Sequence, residues 1–117
     1  METTRVIESL GALAHDHRLA IYRLLVERGP AGLPAGEIAT RVGLVPSSLT
    51  FHLQHLTRAG LITQRRVSRQ LFYATDFTVM TALVGYLTEN CCRAAACSPP
   101  CAPARPVPKS RRPKKAA

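Results

Sequence analysis

Two short segments of helical pattern joined at a glycine constrain the fold of this 117-residue chain more than any other feature. The first, AGEIATRVG (residues 35–43), is typical of a short helix that a glycine stops. In the second, LVPSSLTFHLQHLTRAGLI, Pro46 suits a first helical turn and Gly60 is placed to cap the C-terminus. Its leucines recur along one helix face: Leu49, Leu53 and Leu56. Two short helices with so tight a connection predict a helix-turn-helix.

The flanking segments complete the layout of a winged helix. Apolar residues at helical spacing predict a helix from Thr4 to Leu13 and a second helix that ends at Gly29-Pro30. After the helix pair, β-type composition on both sides of Ser68-Arg69 predicts a hairpin with a basic tip. Asp76 is a suitable N-cap for a last helix. That helix carries an apolar stripe: Phe77, Met80, Leu83, Val84 and Leu87. The predicted fold is mainly α with a small β-hairpin, a winged helix-turn-helix in the order α-α-α-α-β-β-α.

Composition and charge suggest one small domain with a polyanionic partner. Hydrophobic residues make up 46% of the chain, and its net charge is +9. Up to Cys97 there are 10 basic and 7 acidic residues, so much of the excess charge belongs to the tail. We therefore divide the chain into a winged-helix domain (1–90), a cysteine segment (91–101) and a basic tail (102–117) that we expect to be disordered. The tail either attracts DNA or is simply solvated.

The sequence predicts a cytoplasmic protein without a membrane partner. No apolar run approaches the roughly 18 residues that span a bilayer, and Glu2 and Glu8 interrupt the N-terminus where a signal peptide would be basic and then apolar. We expect no enzymatic activity and no organic cofactor, because there is no glycine-rich phosphate loop and no evident substrate cleft. The four histidines are spread over the predicted helices: His15, His17, His52 and His55.

The fourth predicted helix and the hairpin tip carry the candidate DNA contacts. With the leucines inward, the outer side of the helix presents groups that can read base edges or bind phosphate: Ser47, Ser48, Thr50, Phe51, Gln54, His55 and Arg58. His52 lies nearer the apolar face, and we interpret it as a packing or capping residue. The hairpin tip offers Arg65, Arg66 and Arg69 to phosphates; a solvated charged turn is the alternative.

The run ALAHDHRLAIYRLLVERG, followed by GEIATRVGL and SSLTFHLQHLTRAGLI, resembles the ArsR family of winged-helix repressors over about Ile7 to Asn90. The resemblance implies a homodimer whose first and last helices pack across a twofold axis. It also implies binding to double-stranded operator DNA with an inverted repeat, and release when a metal or metalloid binds. The apolar stripe of the last helix fits such a dimer independently, because it exceeds what a small domain covers alone.

All four cysteines fall in the stretch TENCCRAAACSPPC. In the reducing cytoplasm such a cluster favours thiolates for a metal or a redox sensor. The third helix lacks the cysteine box of many ArsR members, and the last helix lacks histidines for a zinc site. The cluster resembles a branch in which adjacent cysteines and a third, later one bind trivalent arsenic or antimony. This implies As(III) or Sb(III) as inducer, with Cys91, Cys92 and Cys97 as ligands and Cys101 as a spare thiol.

Chemistry supports a soft, three-coordinate ion, because thiolates select soft ions and an adjacent pair departs from the spacing of structural zinc sites. Other interpretations of the cluster stay open: cadmium, lead or copper(I), a disulfide redox switch, or surface thiols without function. If Cys91 and Cys92 bind alone, a methylated arsenical fits better than arsenite. A thiol-rich metal carrier is the competing class of protein.

Overall fold

The computed structural model describes residues 1–93; residues 94–117, including Cys97, Cys101 and the basic tail, lie outside the described residues. The predicted order of elements is confirmed, with one additional strand. The helices are α1 (Thr3–Leu13), α2 (Asp16–Arg28), α3 (Ala35–Val42), α4 (Pro46–Arg58) and α5 (Phe77–Thr88). The strands are β1 (Leu33–Pro34), β2 (Ile62–Val67) and β3 (Gln70–Thr75). Met1–Leu87 forms one compact unit, and residues 88–93 are the described part of a second unit.

The three strands form an antiparallel sheet in the order β1-β3-β2. Strands β2 and β3 are the predicted hairpin, in register from Ile62 opposite Thr75 to Val67 opposite Gln70. The predicted order has no strand between the second and third helices, and in this it is wrong, because Leu33 of β1 pairs with Tyr73. The close approach of β1 to β3 requires a glycine at residue 32. Gly32 has a φ of +73°, and a Cβ there would overlap the Tyr73 carbonyl group.

The core fixes α4 from one side. Leu49, Leu53 and Leu56 of α4 are buried, as the spacing predicted. They pack in one cluster with apolar residues of α2, α3 and the sheet, including Ile21, Leu25, Leu33, Ile38 and Ile62. Truncating a buried leucine to alanine typically lowers the free energy of unfolding by about 2–5 kcal/mol, so this packing holds the helix firmly in place. The opposite face of α4 is left outward.

The ends of α3 and α4 have the predicted caps. Gly43 ends α3 in the left-handed conformation, with a φ of 73°, and Pro46 occupies the first turn of α4. After α4, Gly60 has a φ of 81° and donates its N–H to the Thr57 carbonyl at 3.0 Å, while Leu61 donates to Leu56 at 3.1 Å. This pair of bonds is a Schellman motif, which satisfies the last carbonyls of the helix.

Helix α5 is capped by Asp76, as predicted. Its Oδ1 accepts hydrogen bonds from the N–H groups of Thr78 and Val79 at 3.1 and 3.2 Å. The predicted stripe on α5 is divided: Leu83 is buried, whereas Val84 and Leu87 are 53% and 57% exposed. Within residues 1–93, none of the helices combines the length and the apolar character needed to cross a bilayer.

Candidate nucleic-acid interface

The outer face of α4 is polar apart from one aromatic ring. The structure exposes Ser47, Thr50, Phe51, Gln54 and Arg58 and leaves Ser48 and His55 half-buried. All seven predicted residues of this helix thus lie away from the buried leucines. The Thr50 hydroxyl donates to the Pro46 carbonyl at 2.9 Å, so its oxygen remains as an acceptor toward a ligand.

Phe51 projects between two imidazoles on this face. Its ring is 5.5 Å from that of His52 and 5.7 Å from that of His55, both in edge-on arrangements. Even so, Phe51 is 56% exposed. Neither the hairpin nor another described element covers it. An apolar ring among hydrogen-bonding side chains suits contact with a thymine methyl group in the major groove.

His55 is suited to hydrogen bonding as a neutral group. Partial burial, followed by the positive charges of Arg18 and Arg58 and by His15, lowers the pKa of His55 from its ordinary value. The neutral ring has one donor and one acceptor nitrogen, and such a ring can read a base edge. Arg58 is therefore the permanent positive charge at this end of α4, and it suits phosphate contact.

The three wing arginines differ in their surroundings. Arg65 donates to the Ala31 carbonyl at 3.0 Å, and its guanidinium carbon lies 5.3 Å from the centroid of the Phe72 ring, so this residue is held against the β1 side of the sheet. Arg66 and Arg69 are exposed, and Ser68 between the strands has a φ of 58°. Among the described residues, Arg66 and Arg69 are the wing side chains that best suit phosphate contact.

Sequence reasoning missed a cluster of histidines behind this face. His52 is buried, which agrees with its interpretation as a packing residue. It also lies beside His15 and His17 from the start of α2, with one ring nitrogen of each within 4.8 Å of the others. The signal was the spacing HDH at residues 15–17, which places two imidazoles in one helical turn.

The cysteine segment begins directly after α5. The Sγ atoms of Cys91 and Cys92 are 3.6 Å apart, and the Cys91 N–H donates to the Thr88 carbonyl at 3.0 Å. Cys91 is exposed and Cys92 half-buried. The other two predicted thiols, Cys97 and Cys101, lie outside the described residues.

A core-anchored helix with an outward polar face, preceded by a tight helical turn and followed by a basic hairpin, defines a winged helix-turn-helix DNA-binding protein. Residues 13–65 match a family model described as a helix-turn-helix domain. The transcriptional activator HlyU of Vibrio cholerae is 30% identical over 92 residues, which are 79% of this chain and 82% of HlyU.

Solved structures agree with this assignment. The structure of HlyU from Vibrio cholerae has a TM-score of 0.63 at 31% identity, covering 75% of this chain and 95% of HlyU. A homodimeric winged helix-turn-helix domain of a possible ArsR-family regulator from Mycobacterium bovis has a TM-score of 0.59 at 29% identity, covering 74% and 81% of the two chains. The chain belongs to the ArsR/HlyU family of winged-helix transcriptional regulators. It is a DNA-binding regulator, and its relatives are regulators rather than enzymes.

Proposed function

We propose that the protein is a homodimeric repressor that releases its operator when As(III) or Sb(III) binds Cys91, Cys92 and Cys97. The observation that carries this proposal is the 3.6 Å separation of the Cys91 and Cys92 Sγ atoms. With metal–sulfur bonds of about 2.3 Å, two sulfurs on one ion lie at most about 4.6 Å apart. The two Sγ atoms are therefore already close enough to bind one ion when both residues are thiolates.

Exposed apolar side chains support the homodimer. Ile7 and Leu10 on α1 and Val84 and Leu87 on α5 are exposed, although each is a large aliphatic residue. Leu10, Val84 and Leu87 line a groove of about 1000 Å³ together with residues of α2 and α3. Contiguous apolar surface of this kind marks an interaction site, and a second copy of the chain offers the same surface in return.

Inducer binding would act through the end of α5. Cys91 follows the last residue of that helix, Thr88, by three positions. In the dimer, two recognition helices must lie about 34 Å apart to enter successive major grooves. Closing a three-sulfur site next to the dimer helix changes that spacing. A coupling free energy of about 1–3 kcal/mol, typical of allosteric pairs, corresponds to about 5- to 150-fold weaker DNA binding.

Fluorescence anisotropy tests this proposal. An operator is first selected from random-sequence DNA with the purified, phosphine-reduced protein, and arsenite is then titrated into the complex. We expect release with the wild type and with Cys101→Ser, and no release with Cys91→Ser or Cys92→Ser. Unchanged operator affinity of the wild type at saturating arsenite would reject the induction claim. Because the relative HlyU is named an activator, a promoter-reporter assay decides the direction of regulation.

A disulfide redox switch is the second candidate, and the 3.6 Å approach of two cysteine sulfurs after α5 favours it. In this case a thiol oxidant would change DNA binding without any metalloid. Oxidation by diamide, followed by reduction with a phosphine, distinguishes the two functions. Reversible loss of operator binding on oxidation, together with no response of the reduced protein to arsenite, would replace the arsenic proposal with the redox one.

A further inference from the structure

Three imidazoles from two helices converge behind the recognition face. His15 caps the start of α2, His17 lies in its first turn and His52 lies in the middle of α4. The ring centroids of His15 and His52 are 4.7 Å apart, and those of the other two pairs are 5.6 and 5.7 Å apart. One ring nitrogen from each residue lies within 4.8 Å of the other two.

We propose that His15, His17 and His52 form a binding site for a borderline divalent transition-metal ion, with Zn(II) as the expected ion. Imidazole is a preferred ligand of such ions, and three histidines with a water molecule in the fourth position are a known zinc arrangement. This site is separate from the cysteine segment and does not rest on arsenic sensing. It would connect the start of α2 to the helix that reads DNA.

The geometry requires a closure of the cluster. At zinc–nitrogen bonds of about 2.0–2.1 Å, two nitrogens bound to one tetrahedral ion lie about 3.3–3.4 Å apart. The ring nitrogens lie within 4.8 Å of one another, so the most widely separated pair shortens by up to about 1.5 Å on binding. The His15 side chain is 37% exposed and His17 is exposed, so both can rotate toward His52, which is 8% exposed and fixed on α4.

Asp16 provides the supporting carboxylate that zinc-bound histidines usually have. Its Oδ1 lies 3.2 Å from His15 Nδ1, and when it accepts the proton of that nitrogen, His15 Nε2 is left for the ion. The same Oδ1 accepts from the His17 backbone N–H at 2.8 Å. It therefore maintains the helix cap when His15 Nδ1, now 3.1 Å from that N–H, no longer accepts.

Arg18 carries a positive charge that would repel a metal ion bound at this site. Its Nη1 lies 3.4 Å from His52 Nδ1, and its Nε donates to the Ala12 carbonyl at 2.6 Å. The bond to Ala12 keeps the arginine anchored if the ion takes its place beside His52. Burial, then His15, Arg18, His17 and His55, lower the pKa of His52.

The test uses the full-length chain with all four cysteines replaced by serine, which removes thiol ligands without touching Met1–Leu87. Cobalt(II) is titrated and followed by visible absorption, and Zn(II) is titrated by calorimetry. We expect one ion per chain, absorption bands of tetrahedral cobalt that zinc removes, and a higher melting temperature with zinc present. His17→Ala and His15→Asn should each weaken binding at least tenfold.

The variants separate ligand loss from unfolding. Asparagine at residue 15 is itself a good N-cap, and residue 17 is exposed, so both proteins should keep the parent circular dichroism spectrum. His55→Ala is the matched control, since it removes a histidine of α4 outside the cluster and should leave metal affinity unchanged. Absence of cobalt binding, or equal affinity in His17→Ala and the parent, would overturn the proposal.

Discussion

Replacing Phe51 with alanine tests whether the outer face of α4 meets DNA. The ring is 56% exposed in the described structure. Aromatic side chains bury about 150–250 Å² in full, so about 80–140 Å² of this ring remains to be covered by a ligand. At about 25 cal/mol per Å², complete burial would contribute about 2–3.5 kcal/mol per half-site. Taking the lower figure, because groove contacts exclude water incompletely, Phe51→Ala should weaken operator binding at least about 30-fold.

The fold should tolerate the change. The substitution removes the edge-on packing of the Phe51 ring against His52 and His55, at a cost of about 1 kcal/mol that lowers the melting temperature by about 4–8 °C. Anisotropy titrations with operator and non-operator DNA measure the effect, and Phe51→Leu is the control that retains apolar area. The decrease in affinity should be smaller on non-operator DNA, where phosphate contacts dominate. A folded Phe51→Ala protein with operator affinity within twofold of wild type would refute the assignment of this face.

Four further predictions concern the helix cap, the wing, the apolar face of α5 and the buried histidine. Asp76→Ala should lower the free energy of unfolding by about 0.5–2 kcal/mol in urea titrations, whereas Asp76→Asn, which keeps the cap, should cost little. Replacing Arg66 and Arg69 with glutamine should reduce the slope of log affinity against log salt by about 0.9 for each phosphate that the wing no longer neutralises; an unchanged slope would mean that the wing is solvated. Leu87→Glu should shift the protein from dimer to monomer in sedimentation velocity, since it places a charge on the exposed apolar face of α5. The lowered pKa of His52 means that the unfolded chain, with the ordinary value of 6.5, binds the proton first as pH falls. Stability should therefore be full above pH 6.5 and fall below it, and denaturation series should show a smaller fall in His52→Gln.

Residues whose local chemistry dictates their conformation were predictable from the sequence. Gly43, Pro46 and Asp76 each mark a helix end by a mechanism that acts within a few residues, and each does so in the structure. The inward face of α4 was predictable for the same reason, because it follows from the leucine spacing. Strand β1 was missed because two residues are too few to show alternation.

Features that depend on distant residues were not predictable. His52 carries no local sign that His15 and His17 lie beside it, because the packing of α2 against α4 creates the cluster. Arg65 looked equivalent to Arg66 in sequence, but neighbouring residues on β2 point to opposite faces. Only the fold shows that Arg65 turns toward Ala31.

Sedimentation velocity of the operator complex during an arsenite titration tests the central claim most directly, with separate absorbance signals for the DNA and a labelled protein. We predict that free DNA appears as about one arsenic per chain is bound, while the protein continues to sediment as a dimer. A complex that stays intact with arsenic bound would contradict the proposed coupling between Cys91, Cys92 and DNA release. Release of the DNA together with dissociation into single chains would contradict the proposed change in half-site spacing.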